Sequence, residues 1–294
     1  MFDPLVMLSG LLVGLVVGLT GMGGGALMTP LLVLGFGIEP LAAVSSDLVA
    51  SLLMKPLGAW VHWRRGTVRP GLVRWLVMGS VPSAFVGSFV SASFGSGAGA
   101  RLKLALGFAL LVASSAIAAK AAMGQARAGL DGAPDSLRIL KLPTLAVGVV
   151  GGFVVGLTSV GSGSLMMVLL LLLYPRLSAG ELVGTDLVQA IPLVGAAALG
   201  HIIFGDFKLG LTSSLVIGGV PGVYIGAQLS ARAPDKHVRP ILMVVLLATG
   251  LKLVGMPALG IIGAVVLALV AWLVTALARR RKLTGDPASR TVVP

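Results

Sequence analysis

The chain has 294 residues, of which 56% are hydrophobic and 11% are charged, with a formal net charge of +12 and no cysteine. The mean hydropathy of +1.04 excludes a water-soluble domain, because apolar runs near the roughly 20 residues that span a bilayer fill most of the chain. The positive residues lie in short loops and in the tail, as membrane orientation requires, which excludes a nucleic-acid-binding protein. Without cysteine the chain has no disulfide or thiolate–metal chemistry.

The apolar segments follow one another in the same order in both halves of the chain. The first half contains Leu5–Leu19, Ala26–Phe36, Leu41–Trp63, Val68–Ala92 and Leu102–Ala119. The second half contains Leu142–Leu157, Leu165–Leu173, Ala179–Phe204, Leu209–Ala231 and Val238–Leu253. A last segment, Ala258–Leu277, has no counterpart. The N-terminus has no basic run before Leu5, so we expect its first segment to be retained and not cleaved as a signal.

An internal repeat relates the two halves. Asp47 aligns with Asp186 at an offset of 139 residues, and the same offset pairs His62 with His201. Prolines and several glycines match at this offset as well, which makes a chance recurrence of common apolar residues a poor explanation.

Each half also carries a glycine-rich interruption at the same place. The first glycine break reads GLTGMGGGALMTP, from Gly18 to Pro30, and the second reads GLTSVGSGSLMMV, from Gly156 to Val168. Broken helices free backbone groups that are tolerated inside a membrane only in protein or in a wet cavity. Two corresponding breaks are the sequence feature that best indicates a transporter binding site.

The segments after the breaks are about 15 Å long as helices, too short for the roughly 30 Å hydrocarbon core. We therefore expect a re-entrant helical hairpin at each break, or else two full crossings. In both cases each repeat crosses an odd number of times, and the second is inverted. The prediction is an all-α polytopic membrane protein with two inverted-topology repeats, each a broken hairpin plus three spanning helices, and one extra C-terminal helix.

Loop charges favour this inversion. An odd count places the basic clusters at 64–74, 120–141, 232–239 and 279–282 on one side, which the positive-inside rule makes cytoplasmic. Arg101 and Lys103 are exceptions on the opposite side. We expect a multi-pass protein of the cytoplasmic (inner) membrane, with the N-terminus outside. Its predicted parts are an N-terminal repeat (1–119), a cytoplasmic linker (120–141), a C-terminal repeat (142–255), an extra helix (256–278) and a cytoplasmic tail (279–294).

Small and hydroxyl residues around the breaks are the candidate substrate-binding set, since backbone N–H groups and hydroxyls suit compact oxyanions. Close packing of helices by small residues is the alternative explanation. The set comprises Thr20, Gly23, Gly24, Gly25, Ser45, Ser46, Lys55, Thr158, Ser159, Gly161, Ser162, Gly163, Ser164, Thr185 and Gln189.

Lys55 is the sharpest candidate, because it lies close to the middle of its segment, where a cation is costly unless paired or wet. Its repeat equivalent is Val194, so the fold itself does not require a lysine. Helix N-termini at Gly25 and Ser164 would add partial positive charge toward an anion. A pair with Asp47, or snorkelling to the interface, is the alternative.

The matched ionisable residues are candidates for proton coupling. Asp47 and Asp186 lie near the starts of equivalent segments, where an acid is often a capping or dipole partner instead. His62 and His201 lie near the opposite ends, where a satisfied polar residue at the membrane interface competes with a proton relay. We expect no metal and no cofactor, since three histidines without cysteine and without metal-ligand spacing do not form a site.

At these residues the chain resembles the sulfite exporter TauE/SafE family, also called the TSUP permeases. The resemblance rests on G-L-T-G-M-G-G-G from Gly18, its second-half copy, the small-residue stretch Ala42–Asp47, and the pattern Pro82–Gly87. It implies a secondary carrier, without ATP, for sulfite, sulfonates such as sulfoacetate, or related organic acids. The second copy has Val168 in place of proline and serine in place of two glycines, so the two half-sites should be unequal.

The leading interpretation is therefore a secondary transporter that exports a small sulfur-containing anion, with alternating access around a midplane site. Its expected partners are the anion and the lipid bilayer, with no nucleic acid, as a monomer or a homodimer. The alternatives are a passive anion channel and, remotely, an intramembrane serine hydrolase. The hydrolase would need Ser162 or Ser164 in contact with His201. We expect His201 at the membrane face opposite to the second break, so this contact should not form. The prediction is that the protein is not an enzyme.

Overall fold

The structure is a computed structural model that describes residues 3–20, 24–94, 98–123, 138–230 and 235–270. The helices within these residues are α1 (Pro4–Thr20), α2 (Gly25–Gly35), α3 (Pro40–Arg64), α4 (Pro70–Ala92), α5 (Ala98–Met123), α6 (Lys141–Thr158), α7 (Leu165–Leu173), α8 (Ala179–Phe204), α9 (Leu209–Ser230), α10 (Asp235–Leu253) and α11 (Ala258–Val270). No strand occurs in the described ranges. The prediction of an all-α membrane protein is confirmed.

Six of these helices are long and apolar enough to cross a membrane, namely α3, α4, α5, α6, α8 and α9. The helices that follow the breaks are much shorter, with 11 residues in α2 and nine in α7. Whether each broken pair is re-entrant or fully spanning stays a prediction.

The helix limits follow from local chemistry. Pro40 and Pro70 begin α3 and α4, where a proline costs nothing because the first N–H groups of a helix have no partner inside it. Ser178 precedes α8 and forms a capping box with Glu181, which satisfies two of those donors. The helix α5 continues to Met123, beyond the predicted end of the first repeat at residue 119. Residues 124–137 of the predicted linker and the tail from residue 271 lie outside the described residues.

Helices α4 and α6 cross at glycines. A β-carbon built on Gly79 would lie 2.4 Å from the carbonyl oxygen of Leu145, and one on Gly87 would lie 2.4 Å from that of Phe153. Only glycine lets two helix backbones approach this closely.

Helices α1 and α9 cross in the same way. A β-carbon on Gly218 would lie 1.9 Å from the carbonyl oxygen of Met7, and one on Gly226 would lie 2.1 Å from that of Leu15. These two glycines are the repeat equivalents of those on α4. The first-half helix of each crossing therefore packs on a helix of the second half.

Helices α3 and α8, which are equivalent in the repeat, run antiparallel to each other. Gly58 of α3 lies against Leu187 of α8, and Gly195 of α8 lies against Leu52 of α3. Early positions of one helix thus meet late positions of the other. Because both helices carry candidate site residues, this pair places the two halves of the candidate site face to face.

Candidate functional site

The second glycine break is an irregular turn between α6 and α7. Ser159 ends α6 in the left-handed region with φ 61°, and Gly161 and Gly163 have φ of 121° and 95°. Glycine adopts such angles without steric cost, whereas serine does so rarely. The chain therefore leaves the helix for the six residues 159–164, all of them buried.

The two breaks touch each other. Gly25, the first residue of α2, packs so tightly on the second break that a β-carbon there would lie 1.9 Å from the carbonyl oxygen of Ser159. The start of α2 therefore requires glycine. Gly23 and the side chain of Thr20 lie outside the described part of the chain.

Asp47 joins the two breaks through hydrogen bonds. Its Oδ2 atom accepts a bond of 2.9 Å from Thr29 of α2 and one of 2.6 Å from Ser159 of the second break. The carboxylate is fully buried, and its Oδ1 atom accepts no hydrogen bond from the described residues. Asp47 does not cap its own helix, because both hydroxyls that donate to Oδ2 lie on other elements.

Lys55 reaches into the second break. Its Nζ atom donates a hydrogen bond of 2.9 Å to the Oγ atom of Ser162. The residue is 7% exposed, so the snorkelling alternative is wrong. Its hydrogen bond goes to a neutral hydroxyl and not to Asp47, although Asp47 and Asp186 both act electrostatically on its charge.

Asp186 is held differently from its repeat equivalent. Its Oδ1 atom accepts a hydrogen bond of 2.9 Å from Nε2 of Gln189, one turn later on the same helix. The Oε1 atom of Gln189 in turn accepts a bond of 3.4 Å from Ser80 of α4. The two matched acids therefore have distinct environments.

Two buried hydroxyls near these groups make no hydrogen bond to the described residues. They belong to Ser164, the N-cap residue of α7, and to Ser46, which precedes Asp47. Buried polar groups are normally paired, so these hydroxyls are available to a ligand. Ser164 lies directly before α7, where the backbone N–H of Met166 donates to the carbonyl oxygen of Gly161.

Three other predicted binding residues make contacts within the protein. Thr158 donates to the carbonyl oxygen of Val154, and Ser45 contacts His201 across the α3–α8 pair. Thr185 accepts a bond of 3.1 Å from the backbone N–H of Arg69. These three side chains thus have partners inside the protein.

His201 lies against the start of the second break and not at the far face from it, so that expectation is wrong. Its Nε2 atom is 2.7 Å from the carbonyl oxygen of Gly156, and its Nδ1 atom is 2.9 Å from Oγ of Ser45. Because a carbonyl can only accept, Nε2 carries the proton. The antiparallel course of α3 and α8 brings the late residue His201 to the early residue Ser45.

The pairing that a serine hydrolase would need is not formed. Ser162 is bonded to Lys55, whereas His201 is bonded to Ser45 and Gly156. His62 contacts Thr67 at 2.9 Å, as expected of a satisfied polar residue at a helix end.

Sequence reasoning missed Ser51 and Ser80. A β-carbon on Gly24 would lie 3.6 Å from Oγ of Ser51 and 3.9 Å from Oδ1 of Asp47. Ser51 lies midway between Asp47 and Lys55 at intervals of four residues, so the helical period could have found it. Ser80 carried no comparable signal.

The model of the sulfite exporter TauE/SafE family matches residues 6–253, and thus both repeats and both breaks. The chain belongs to the TauE/SafE family. Among the relatives of this TauE/SafE chain is the probable membrane transporter protein YjnA of Bacillus subtilis, which is 37% identical over 85% of the chain and 98% of the relative. The probable membrane transporter proteins YdhB and YunE of the same organism are 25% and 26% identical. They match over 85% and 83% of the chain and over 99% and 94% of their own lengths.

The TauE/SafE family and these relatives are described as membrane transporters and not as enzymes. No solved structure matches the chain.

Proposed function

We propose that this TauE/SafE protein is a secondary transporter that exports a small sulfur-containing anion, such as sulfite or a sulfonate like sulfoacetate. The observation that carries the proposal is the buried ammonium group of Lys55, whose hydrogen bond goes to the neutral hydroxyl of Ser162. A buried cation needs a counter-charge or a polar ligand. Asp47 and Asp186 act on this charge electrostatically, and an anion bound beside Lys55 would add a ligand in direct contact with Nζ.

The proposed site combines this charge with donors in a small space. Ser162 and Ser164 lie within two residues of each other, and α7 begins directly after them. The positive end of the α7 dipole lies next to these two serines and favours an anion there. A tetrahedral or pyramidal sulfur oxyanion presents three oxygens, which suits several donors that converge on one point.

The proposed mechanism is alternating access between inverted repeats. It is supported by the antiparallel course of the equivalent helices α3 and α8 and by the matched glycine crossings. We further propose that the linker and C-terminus face the cytoplasm, since the predicted inverted topology places the basic clusters on one side and the positive-inside rule makes that side cytoplasmic. A membrane potential that is negative inside then helps to expel an anion, by about 2.3 kcal/mol per charge per 100 mV.

A thermal-shift panel on the purified protein tests the ligand class, because a ligand that binds the folded state stabilises it by mass action. The panel contains sulfite, sulfoacetate, sulfate, thiosulfate and small carboxylates. We expect a sulfite or sulfonate to raise the melting temperature most. If every anion shifts it equally, or none does, the proposed substrate class is wrong.

A counterflow assay in proteoliposomes separates a carrier from a passive channel. A carrier loaded with unlabelled anion accumulates labelled anion transiently, because loaded sites exchange across the membrane. We expect saturation and counterflow. Flux that is linear in concentration, without counterflow, would identify a channel instead.

A further inference from the structure

The two acids that the repeat makes equivalent differ in what they bind. Asp47 accepts hydroxyl hydrogen bonds from both breaks, through Thr29 and Ser159. Asp186 is bonded to Gln189 of its own helix. The charge on Asp47 therefore bears directly on the contact between the breaks, since hydrogen bonds to a carboxylate are roughly twice as strong as neutral ones.

The charged groups around Asp47 are few. On its own helix Lys55 acts on it, and Asp186 of α8 acts on that same lysine. His201 of α8 lies at the start of the second break, bonded to Gly156 and Ser45. The sequences of α2, α7 and α9 contain no charged residue, and Arg101 and Lys103 of α5 are exposed. With all three groups ionised, the site holds one positive and two negative charges, so an added anion meets excess negative charge.

Asp47 has a free position for a proton. Its Oδ1 atom accepts no hydrogen bond from the described residues, and it lies near Gly24, the residue before α2, and near the hydroxyl of Ser51. A proton on Oδ1 removes the carboxylate charge and weakens both bonds to Oδ2. Protonation therefore lowers the negative charge of the site and loosens the contact between the breaks in one step.

We propose that Asp47 is a proton-controlled clamp between the two breaks, and that it carries one proton with each anion that binds at Lys55. Only the second part, the transport of a proton together with the anion, rests on the proposed function. The proton comes from the water on the side where the anion enters, forms an O–H bond at Oδ1, and is released with the anion on the other side. The net charge that crosses is the charge of the anion plus the positive charge of the proton, so a dianion such as sulfoacetate still carries one net negative charge and is driven outwards.

Hydrogen–deuterium exchange of the whole protein tests the clamp without any substrate. In the wild type, exchange of residues 24–35 and 159–164 should rise about tenfold between about pH 8 and about pH 3.5, a range that includes the ordinary pKa of an aspartate, after correction for the intrinsic rate. Asp47→Asn should exchange fast at both pH values. The matched control Asp186→Asn should keep the wild-type pH dependence. An Asp47→Asn variant that behaves like the wild type, or an Asp186→Asn variant that is open at both pH values, overturns the clamp.

Thr29→Val guards against an Asp47→Asn variant that does not fold, because it removes one hydroxyl donor and leaves the charge. It should raise exchange in both segments at about pH 8 while the response to acid persists. Unchanged exchange in Thr29→Val overturns the clamp as well.

Proteoliposomes with an internal pH dye test the coupling, with sulfoacetate as the probe. We expect the wild type to move one proton with each sulfoacetate. Asp186→Asn should keep this ratio, whatever its transport rate. Asp47→Asn should transport sulfoacetate without protons. An Asp47→Asn variant with the wild-type ratio overturns the coupling. A wild-type protein that transports neither sulfoacetate nor the other anions of the panel refutes the proposed function, while the exchange experiment still decides on the clamp.

Discussion

The Nζ atom of Lys55 donates a hydrogen bond of 2.9 Å to the Oγ atom of Ser162, although the two residues are 107 positions apart in the chain. Lys55 belongs to the third helix of the first half, and Ser162 to the break of the second half. The bond therefore brings a charge that only one half possesses to hydroxyls that only the other half possesses. The resulting site is asymmetric in spite of the repeat.

Replacement of Lys55 by valine, the residue at the equivalent position 194, should weaken anion binding by about tenfold or more, since a hydrogen bond to a charged group contributes about 1.5–3 kcal/mol. The measurement is the concentration dependence of the thermal shift. Lys103→Ala is the matched control, because this lysine is exposed, and it should bind as the wild type does. Unchanged affinity in a folded Lys55→Val variant would remove Lys55 from the site.

Gly25→Ala should destabilise the protein by about 1–3 kcal/mol, the usual cost of overpacking. The new methyl group would meet the carbonyl oxygen of Ser159, a backbone atom that cannot rotate away. Thermal melting in detergent measures the loss. Gly99→Ala is the control, because a β-carbon there meets nothing within 4 Å, and it should be neutral or stabilising by roughly 0.5–1 kcal/mol. Equal melting temperatures of the two variants would contradict the contact between the breaks.

Gly87→Ala and Gly226→Ala should each destabilise by a similar amount, about 1–3 kcal/mol. Their β-carbons would lie 2.4 and 2.1 Å from carbonyl oxygens of the facing helices. Melting curves of both variants, beside Gly263→Ala in open space, provide the comparison. If one crossing tolerated alanine and the other did not, the two crossings would not be energetically equivalent.

A disulfide between Thr67→Cys and Gly184→Cys should form in the otherwise cysteine-free chain and stop transport. A β-carbon on Gly184 would lie 2.7 Å from Oγ1 of Thr67 and 2.9 Å from its carbonyl oxygen, so the two positions are in contact and a small shift of the loop would admit the bridge. The bridge would tie the α3–α4 loop to the start of α8, two elements that alternating access must separate. Flux should fall on oxidation and recover on reduction, while the single-cysteine variants stay unaffected by oxidant. Full counterflow in the cross-linked protein would mean that these elements do not separate.

Hydropathy alone predicted the helices closely. Leu165–Leu173 and Ala179–Phe204 agree with α7 and α8 at both ends, because an apolar run in a membrane has hardly any alternative to a helix. Glycine clusters likewise predicted where α6 would end, since Gly161 and Gly163 adopt angles that a helix does not contain. These are local properties, which neighbouring residues in the chain determine.

Which polar groups meet was decided only by the tertiary structure. The sequence identified Asp47, Lys55, Ser162 and His201 as notable, but it placed Asp47 on its own helix end and His201 away from the break. A buried hydrogen-bonding group binds whichever partner the packing brings within reach, and here the antiparallel α3–α8 pair supplies those partners from the other half. The class, the helices, the breaks and the candidate charge therefore follow from the order of residues along the chain. The three-dimensional packing decided that Asp47 joins the two breaks and that Lys55 faces the hydroxyls of the second.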